Sequence, residues 1–126
     1  MKKKKIYNIA IVGLGNIGSF LFKYLNENKK YLSNKNNVNF NILCVSAKNK
    51  KKYRSIKIKK NQWVNNFEDI VSNNNVDIIV ELIGGSEGAA KKLVFNALKN
   101  KKHVVTANKA LISKYGDLLA KIAENN

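Results

Sequence analysis

The sequence has no proline, one cysteine and one arginine among its 126 residues. A single cysteine, Cys44, cannot form an internal disulfide, which fits a reducing compartment, so we predict a cytoplasmic protein. No stretch approaches the ~20 apolar residues that a membrane-spanning helix needs, and we expect no membrane association. Because domains typically hold roughly 100–200 residues, the chain has room for a single domain with one core.

Acidic residues are also scarce, since the chain has 8 of them against 24 lysines and arginines and a formal net charge of +16. Such an excess is compatible with nucleic-acid binding. However, Arg54 is the only arginine, whereas specific readers of bases and phosphates favour the bidentate guanidinium. Asparagine is abundant as well, and the codons of lysine and asparagine are A/T-rich. The basic excess therefore fits a compositional bias, and we predict no nucleic-acid partner.

Apolar residues alternate along the chain between short continuous runs and helical spacing. The runs predict strands at Ile6–Val12, Val38–Val45, Val76–Ile83 and His103–Thr106, with a brief further strand at Gln62–Val64. Apolar residues at helical spacing predict four helices. They begin at Ile17, after a cap at Asn65 or Asn66, after a cap at Ser86, and at Leu111. Residues 29–37 are interpreted as a polar loop. Strands that are apolar on both faces and alternate with helices predict a parallel sheet covered on both sides, with right-handed crossovers.

The segment Gly13–Gly18, GLGNIG, matches the pattern G-x-G-x-x-G between a predicted strand and an amphipathic helix. In that context the pattern indicates dinucleotide binding. Gly13 allows the tight turn, Gly15 lets the backbone approach a pyrophosphate, and Gly18 lets the helix pack close to the strand. The predicted fold is thus a Rossmann-type, doubly wound α/β domain over residues 1–126, with a mainly parallel sheet of about five strands.

The end of the second predicted strand bears on the choice of cofactor. NAD-binding domains usually place an acidic residue there for the ribose hydroxyls, but no acid occurs between Ser33 and Glu68. The cations Lys48, Lys50, Lys51, Lys52 and Arg54 follow the strand instead, and a cation at this place can neutralise a 2′-phosphate. We predict NADP or NAD as the cofactor, with a preference for NADP. The alternative is that these lysines belong to the general lysine excess.

Other predicted site residues also follow strands, because ligands of open parallel sheets bind beyond the carboxyl ends of the strands. We expect Gly84 and Gly85 to leave room for a nicotinamide ribose, and Thr106 and Asn108 to offer hydrogen bonds. Lys109 offers a proton and a positive charge. Glu81, inside an apolar strand, requires hydrogen-bond partners if it is buried.

The segments IAIVGLGNIG, VELIGG and HVVTANKALI closely resemble the amino-terminal cofactor domain of homoserine dehydrogenase, over about Ile6 to Glu124. The resemblance implies reduction of L-aspartate 4-semialdehyde to L-homoserine with NADH or NADPH, in the biosynthesis of threonine, methionine and isoleucine. It implies that Leu14, Asn16 and Ile17 contact the pyrophosphate, although many members have threonine at the position of Asn16. It also implies that Lys109 lies beside the nicotinamide, with a part in catalysis and in cofactor contact.

Two further implications of the resemblance concern the cofactor and the sheet. Ala47 and Lys48 stand where relatives often have Ala-Arg, the arginine being the 2′-phosphate contact. The spatial order of the predicted strands is expected to be 3-2-1-4-5.

A later domain of the family carries a second catalytic lysine, the substrate ligands and the main dimerisation region, and no metal site is predicted in this chain. We therefore expect an amino-terminal fragment of a homo-oligomeric enzyme, which binds nucleotide but does not turn over substrate alone. Two alternatives stay open. One is the cofactor domain of another Rossmann dehydrogenase, such as a relative of aspartate dehydrogenase or dihydrodipicolinate reductase. The other is a stand-alone nucleotide-binding module.

Overall fold

A computed structural model describes residues 3–52 and 54–126, and within them four strands and five α-helices form the domain. The strands are β1 (Ile6–Val12), β2 (Asn39–Ser46), β3 (Ile78–Glu81) and β4 (His103–Thr106). The helices are α1 (Asn16–Glu27), α2 (Lys29–Asn36), α3 (Phe67–Val71), α4 (Ala89–Lys99) and α5 (Lys109–Asn125). Among the described residues, no helix is long and apolar enough to cross a membrane.

All strand pairs in the sheet are parallel, and the strand order is β2-β1-β3-β4. This confirms the doubly wound architecture and the predicted order of these four strands. The expected strand at Gln62–Val64 is reduced to one parallel bridge between Trp63 and Val45, in which the Val64 amide donates to the Val45 carbonyl at 2.9 Å. A 3-10 turn over Lys60–Gln62 precedes the bridge and the cap of α3 follows it closely, so the segment touches the sheet edge without extending along it.

The central strand β1 is buried on both faces, which explains its continuous apolar run. Ile9 and Ile11 pack in a cluster with Phe22 of α1, whereas Ala10 and Val12 pack on the opposite face in a cluster that includes Leu93 of α4. Full burial of one such aliphatic side chain contributes about 1.5–3 kcal/mol. The two clusters thus fix α1 on one face of the sheet and α4 on the other.

Cys44, on β2, is 4% exposed in the cluster that faces α3 and α4. Burial raises the pKa of its thiol to about 11, so the residue behaves as a small apolar side chain.

The prediction of a polar loop over residues 29–37 was wrong, because Lys29–Asn36 forms helix α2. No residue of α2 is buried, and Tyr31 is 55% exposed. The helix therefore has no apolar stripe for a sequence pattern to reveal. It ends at Asn37, whose φ of 56° is the left-handed conformation that asparagine tolerates at helix ends.

Of the two predicted helix caps, one is confirmed and one is wrong. Asn66 caps α3 by accepting a hydrogen bond from the Glu68 amide at 3.0 Å, as predicted. Ser86 does not cap α4, which begins at Ala89 after Gly88. Gly88 has a φ of 78°, and this turn delays the start of the helix by two residues relative to a cap at Ser86.

Glu87 connects the beginning of α4 to α5. Its carboxylate accepts hydrogen bonds from the Lys114 ammonium at 2.6 Å, the Tyr115 hydroxyl, and the Lys91 ammonium at 3.3 Å. Led by the contact with Lys114, these partners lower the pKa of Glu87 to about 2. The cluster joins α5 to α4 at the surface, beside the buried apolar contacts of Val94 with Leu111 and Leu119 that pack the two helices together.

Candidate functional site

The strand order reverses between β1 and β3, and a cavity of about 170 Å³ lies at the carboxyl ends of these strands. Such a reversal is where open α/β sheets bind their ligands. The residues that line the cavity come from the start of α1, the end of β3 and the loop before α5: Ile17, Glu81, Leu82, Ile83, Gly84, Ala107 and Asn108. The predicted segments after β1, β3 and β4 therefore meet at one site.

Two glycines of the turn after β1 are required by packing. Gly13 has a φ of 104°, and a Cβ atom there would lie 2.6 Å from the backbone of Leu82. A Cβ atom at Gly18 would lie 2.0 Å from the carbonyl oxygen of Gly13. The Gly13 amide also donates to the Ser46 carbonyl at 2.9 Å, which joins the turn to the end of β2. Both residues keep the first turn of α1 tight against the sheet.

Gly15 has no such internal reason to be glycine. Its φ of −74° and ψ of −155° are open to any residue, and a Cβ atom there would meet nothing within 4 Å. Gly15 is exposed and directly precedes α1, whose first turn has no acidic residue. The free N–H groups and positive dipole end of α1 thus face open space, which suits a phosphate group.

The buried carboxylate of Glu81, 0% exposed, has the partners that its place in an apolar strand requires. One oxygen accepts from the amides of Ile83 at 2.8 Å and Gly84 at 2.9 Å. The other accepts from the Thr106 hydroxyl at 2.5 Å. Glu81 therefore shapes the loop after β3 and joins it to the end of β4.

Asn108 extends this network towards α5. Its side-chain nitrogen Nδ2 donates to the Gly85 carbonyl at 2.6 Å, and its side-chain oxygen Oδ1 accepts from the Leu111 amide at 3.0 Å. The Thr106 hydroxyl accepts from the Asn108 backbone amide at 3.0 Å. Thr106 is half-buried, and its hydroxyl already donates to Glu81 and accepts from the Asn108 amide. A ligand that contacts this hydroxyl would therefore have to share it with these two partners.

Lys109 directly follows Asn108 as the exposed first residue of α5. No ion pair in the part of the chain that the structure describes involves Lys109. A cation at a helix N-terminus opposes the helix macrodipole, and the first turn of α5 has no acidic residue to offset it. Helix stability therefore does not explain a lysine at this position.

The predicted residues after β2 lie beside the glycine turn. Ala47 is half-buried and packs against the cluster under α1, whereas Lys48 is exposed. Leu14 is 4% exposed in the same cluster, so only its backbone is available to a ligand. Asn16 and Ile17 are exposed at the start of α1.

The sequence indicated that Asn108 offers hydrogen bonds at this end of the sheet, but it did not indicate which partners Asn108 and Arg54 have within the chain. Asn108 lines the cavity and is 7% exposed, and its position just before a predicted helix was the available signal. Arg54 donates through Nε to the Leu14 carbonyl at 3.0 Å, a contact across 40 positions that no local pattern indicates. The sequence singles out Arg54 only in that it is the single arginine of the chain.

Two further observations concern alternative sites. A cavity of about 250 Å³ lies at the opposite end of β4, lined by residues that include Lys101, His103 and Ala123. It lacks both a glycine turn and a helix N-terminus. In residues 3–52 and 54–126, no group of three or more His, Cys, Asp or Glu side chains has the arrangement of a metal site.

Comparison with known proteins agrees with this geometry. Residues 13–126 match the family described as homoserine dehydrogenase, NAD binding domain. The chain is 35% identical over 122 residues to homoserine dehydrogenase of Bacillus subtilis (strain 168), which covers 96% of this chain and 28% of that protein. The chain thus spans little more than a quarter of that relative.

Solved structures give the same result. A crystal structure of S. aureus homoserine dehydrogenase at pH 6.0 has a TM-score of 0.87 and 35% identity, over 98% of this chain and 31% of that one. The homoserine dehydrogenase of Thiobacillus denitrificans has a TM-score of 0.89 and 31% identity, over 99% of this chain and 28% of that one. The chain belongs to the homoserine dehydrogenase family and corresponds to its NAD-binding domain.

Proposed function

We propose that residues 1–126 form the NAD(P)-binding domain of a homoserine dehydrogenase that reduces L-aspartate 4-semialdehyde to L-homoserine. The observation that carries the proposal is the open space over Gly15 at the start of α1. Neither the backbone conformation nor the packing requires glycine there, whereas a pyrophosphate that approaches the helix would.

The first residues of α1 hold the pyrophosphate in this proposal. The backbone amides at Asn16, Ile17 and Gly18 belong to the first turn, where intrahelical partners are lacking. Gly13 and Leu14 contribute through the backbone, because the side chain of Leu14 is buried. Gly84 lines the cavity and presents no side chain there, and the Thr106 hydroxyl, which also bonds Glu81 and the Asn108 amide, is proposed to contact the ribose.

Lys109 supplies the acid–base chemistry. A nicotinamide cofactor, when bound at this site, would supply the hydride for reduction of the aldehyde. The Lys109 ammonium stabilises the charge that develops on the carbonyl oxygen and donates a proton to it. The residues that bind the substrate belong to the part of the relatives that this chain does not span, and the whole enzyme is proposed to be a homo-oligomer.

We also propose NADP as the preferred cofactor. Ala47 and the exposed Lys48 follow β2, at the edge of the glycine turn, and no acidic residue stands there to repel a 2′-phosphate. We further propose a cytoplasmic enzyme with no nucleic-acid or membrane partner, which the single cysteine and the single arginine support, and with the small-molecule substrate that the family implies.

Substitution of Gly15 by aspartate tests the phosphate position. Aspartate is a preferred N-cap residue and its charge favours the helix dipole, so the free energy of unfolding should stay the same or rise by about 0.5–1 kcal/mol. The same carboxylate would repel the pyrophosphate, and we expect NADPH affinity to fall by at least about a hundredfold, a loss of about 2.7 kcal/mol.

The matched control is Asn28→Asp, which places the same charge before α2, away from the cavity. Isothermal titration calorimetry with NADPH and NADH measures binding, and urea denaturation measures stability. Unchanged nucleotide affinity in the Gly15→Asp variant, or an equal loss in the control, would rule out the proposed phosphate position.

A further inference from the structure

The guanidinium of Arg54, a half-buried residue, donates hydrogen bonds to four backbone carbonyls. Nε donates to the Leu14 carbonyl at 3.0 Å, and one terminal nitrogen donates to the Asn49 carbonyl at 2.8 Å. The other terminal nitrogen donates to the carbonyls of Lys52 at 3.1 Å and Lys50 at 3.4 Å. Since a guanidinium has five N–H donors, these four contacts leave it without a free pair for bidentate phosphate binding.

The four carbonyls belong to two separate segments. Leu14 is part of the glycine turn, whereas Asn49, Lys50 and Lys52 belong to the loop that follows β2, which we name the basic loop (residues 48–52). The guanidinium therefore ties the basic loop to the turn that faces the proposed pyrophosphate. A lysine ammonium is a compact charge and lacks the planar fork that spans such a set of acceptors.

Trp63 supports the same arrangement from the sheet edge. Its ring centroid lies 5.7 Å from the guanidinium carbon of Arg54 and 5.6 Å from the ammonium of Lys50. Both distances are within the range of cation–π attraction. Trp63 itself forms the bridge to Val45 of β2, so the basic loop is fixed both to the glycine turn and to the sheet.

We propose that Arg54 is a positioning residue that holds the lysines of the basic loop where they meet the 2′-phosphate of NADP. This inference rests on the proposed function. Arg54 itself does not bind the phosphate; it sets cofactor preference through Lys48 and its neighbours. The only arginine of this lysine-rich chain thus occupies a position that requires several N–H donors in one plane. The lysines of the basic loop provide the positive charge that meets the 2′-phosphate.

The test compares Arg54→Lys and Arg54→Met with Lys57→Met, which removes an exposed charge outside the basic loop. Dissociation constants for NADPH and NADH are measured on the whole chain by calorimetry. We expect both Arg54 variants to weaken NADPH on the order of tenfold, the effect of losing one charge-assisted hydrogen bond. NADH should change by less than about twofold, because it lacks the phosphate that these lysines meet.

Rescue distinguishes positioning from direct binding. Arg54→Lys keeps the charge, so recovery of NADPH affinity in that variant would overturn the positioning role, as would equal losses of NADPH and NADH or no loss of either. A nucleotide-free readout is acrylamide quenching of Trp63, the only tryptophan, which should increase in both Arg54 variants and stay unchanged in Lys57→Met. Failure of the unaltered chain to bind either nucleotide would instead contradict the proposed function.

Discussion

Removal of the Glu81 carboxylate should destabilise the domain, because three donors lose their acceptor. These are the amides of Ile83 and Gly84 and the hydroxyl of Thr106. A buried donor without a partner costs about 1–3 kcal/mol. Gly84 and the cavity are open to solvent, so water can reach some of these donors in a Glu81→Ala variant. We therefore expect a loss of about 3 kcal/mol in the free energy of unfolding, less than three full penalties.

Glu81→Gln separates the charge from the shape. The amide oxygen of glutamine can accept from Ile83 and Gly84, but its NH₂ group then faces the Thr106 hydroxyl, which must reverse its role. Because one hydrogen bond is altered, Glu81→Gln should lower the free energy of unfolding by about 1 kcal/mol. Thr106→Val removes the same contact from the other side, so the double variant Glu81→Gln, Thr106→Val should cost less than the sum of the two single changes.

Urea denaturation, followed by the fluorescence of Trp63 and by circular dichroism, measures these differences. Glu81→Ala should shift the midpoint strongly and Glu81→Gln moderately. A loss below about 1 kcal/mol for Glu81→Ala would refute the reasoning, because it would mean that the three donors find equally good partners without the carboxylate.

Three other perturbations probe separate parts of the structure. Gly18→Ala should cost about 1–3 kcal/mol in urea denaturation, because its Cβ atom would lie 2.0 Å from the Gly13 carbonyl oxygen. Glu87 has a pKa lowered from 4.5 to about 2, so its contribution to stability is present above pH 4.5 and is lost as the pH falls towards 2. Glu87→Gln should remove that part of the acid-induced loss, seen as a flatter plot of melting temperature between these pH values. Lys48→Glu should weaken NADPH on the order of tenfold and NADH much less, and equal effects in calorimetry would contradict a role at the 2′-phosphate.

Much of the fold could be predicted because its strands are short continuous apolar runs in the sequence. Ile6–Val12 and His103–Thr106 have the bounds expected from their apolar runs, and the glycine turn lies between β1 and α1 as predicted. The order β2-β1-β3-β4 followed from family resemblance and is confirmed. A strand that faces the core on both sides, as β1 does, appears in the sequence as a continuous apolar run, whereas a helix with one buried face shows a period of 3.6 residues.

Other features could not be predicted because they depend on the surface or on distant contacts. Helix α2 has no buried residue and therefore no apolar period. The partners of Glu81 include Thr106, 25 positions away, and Arg54 reaches Leu14 across 40 positions. A single sequence indicates that a buried carboxylate needs donors, but only the folded chain shows which donors these are.

Backbone amide chemical shifts during an NADPH titration test the central claim most directly, since they locate the nucleotide on the chain. We predict the largest changes at Gly13–Gly18, with further changes at Gly84 and Lys109, and none around the cavity lined by Lys101 and Ala123. Changes concentrated at that second cavity, or no saturable changes at Gly15 and the start of α1, would contradict the assignment of this domain's cofactor site.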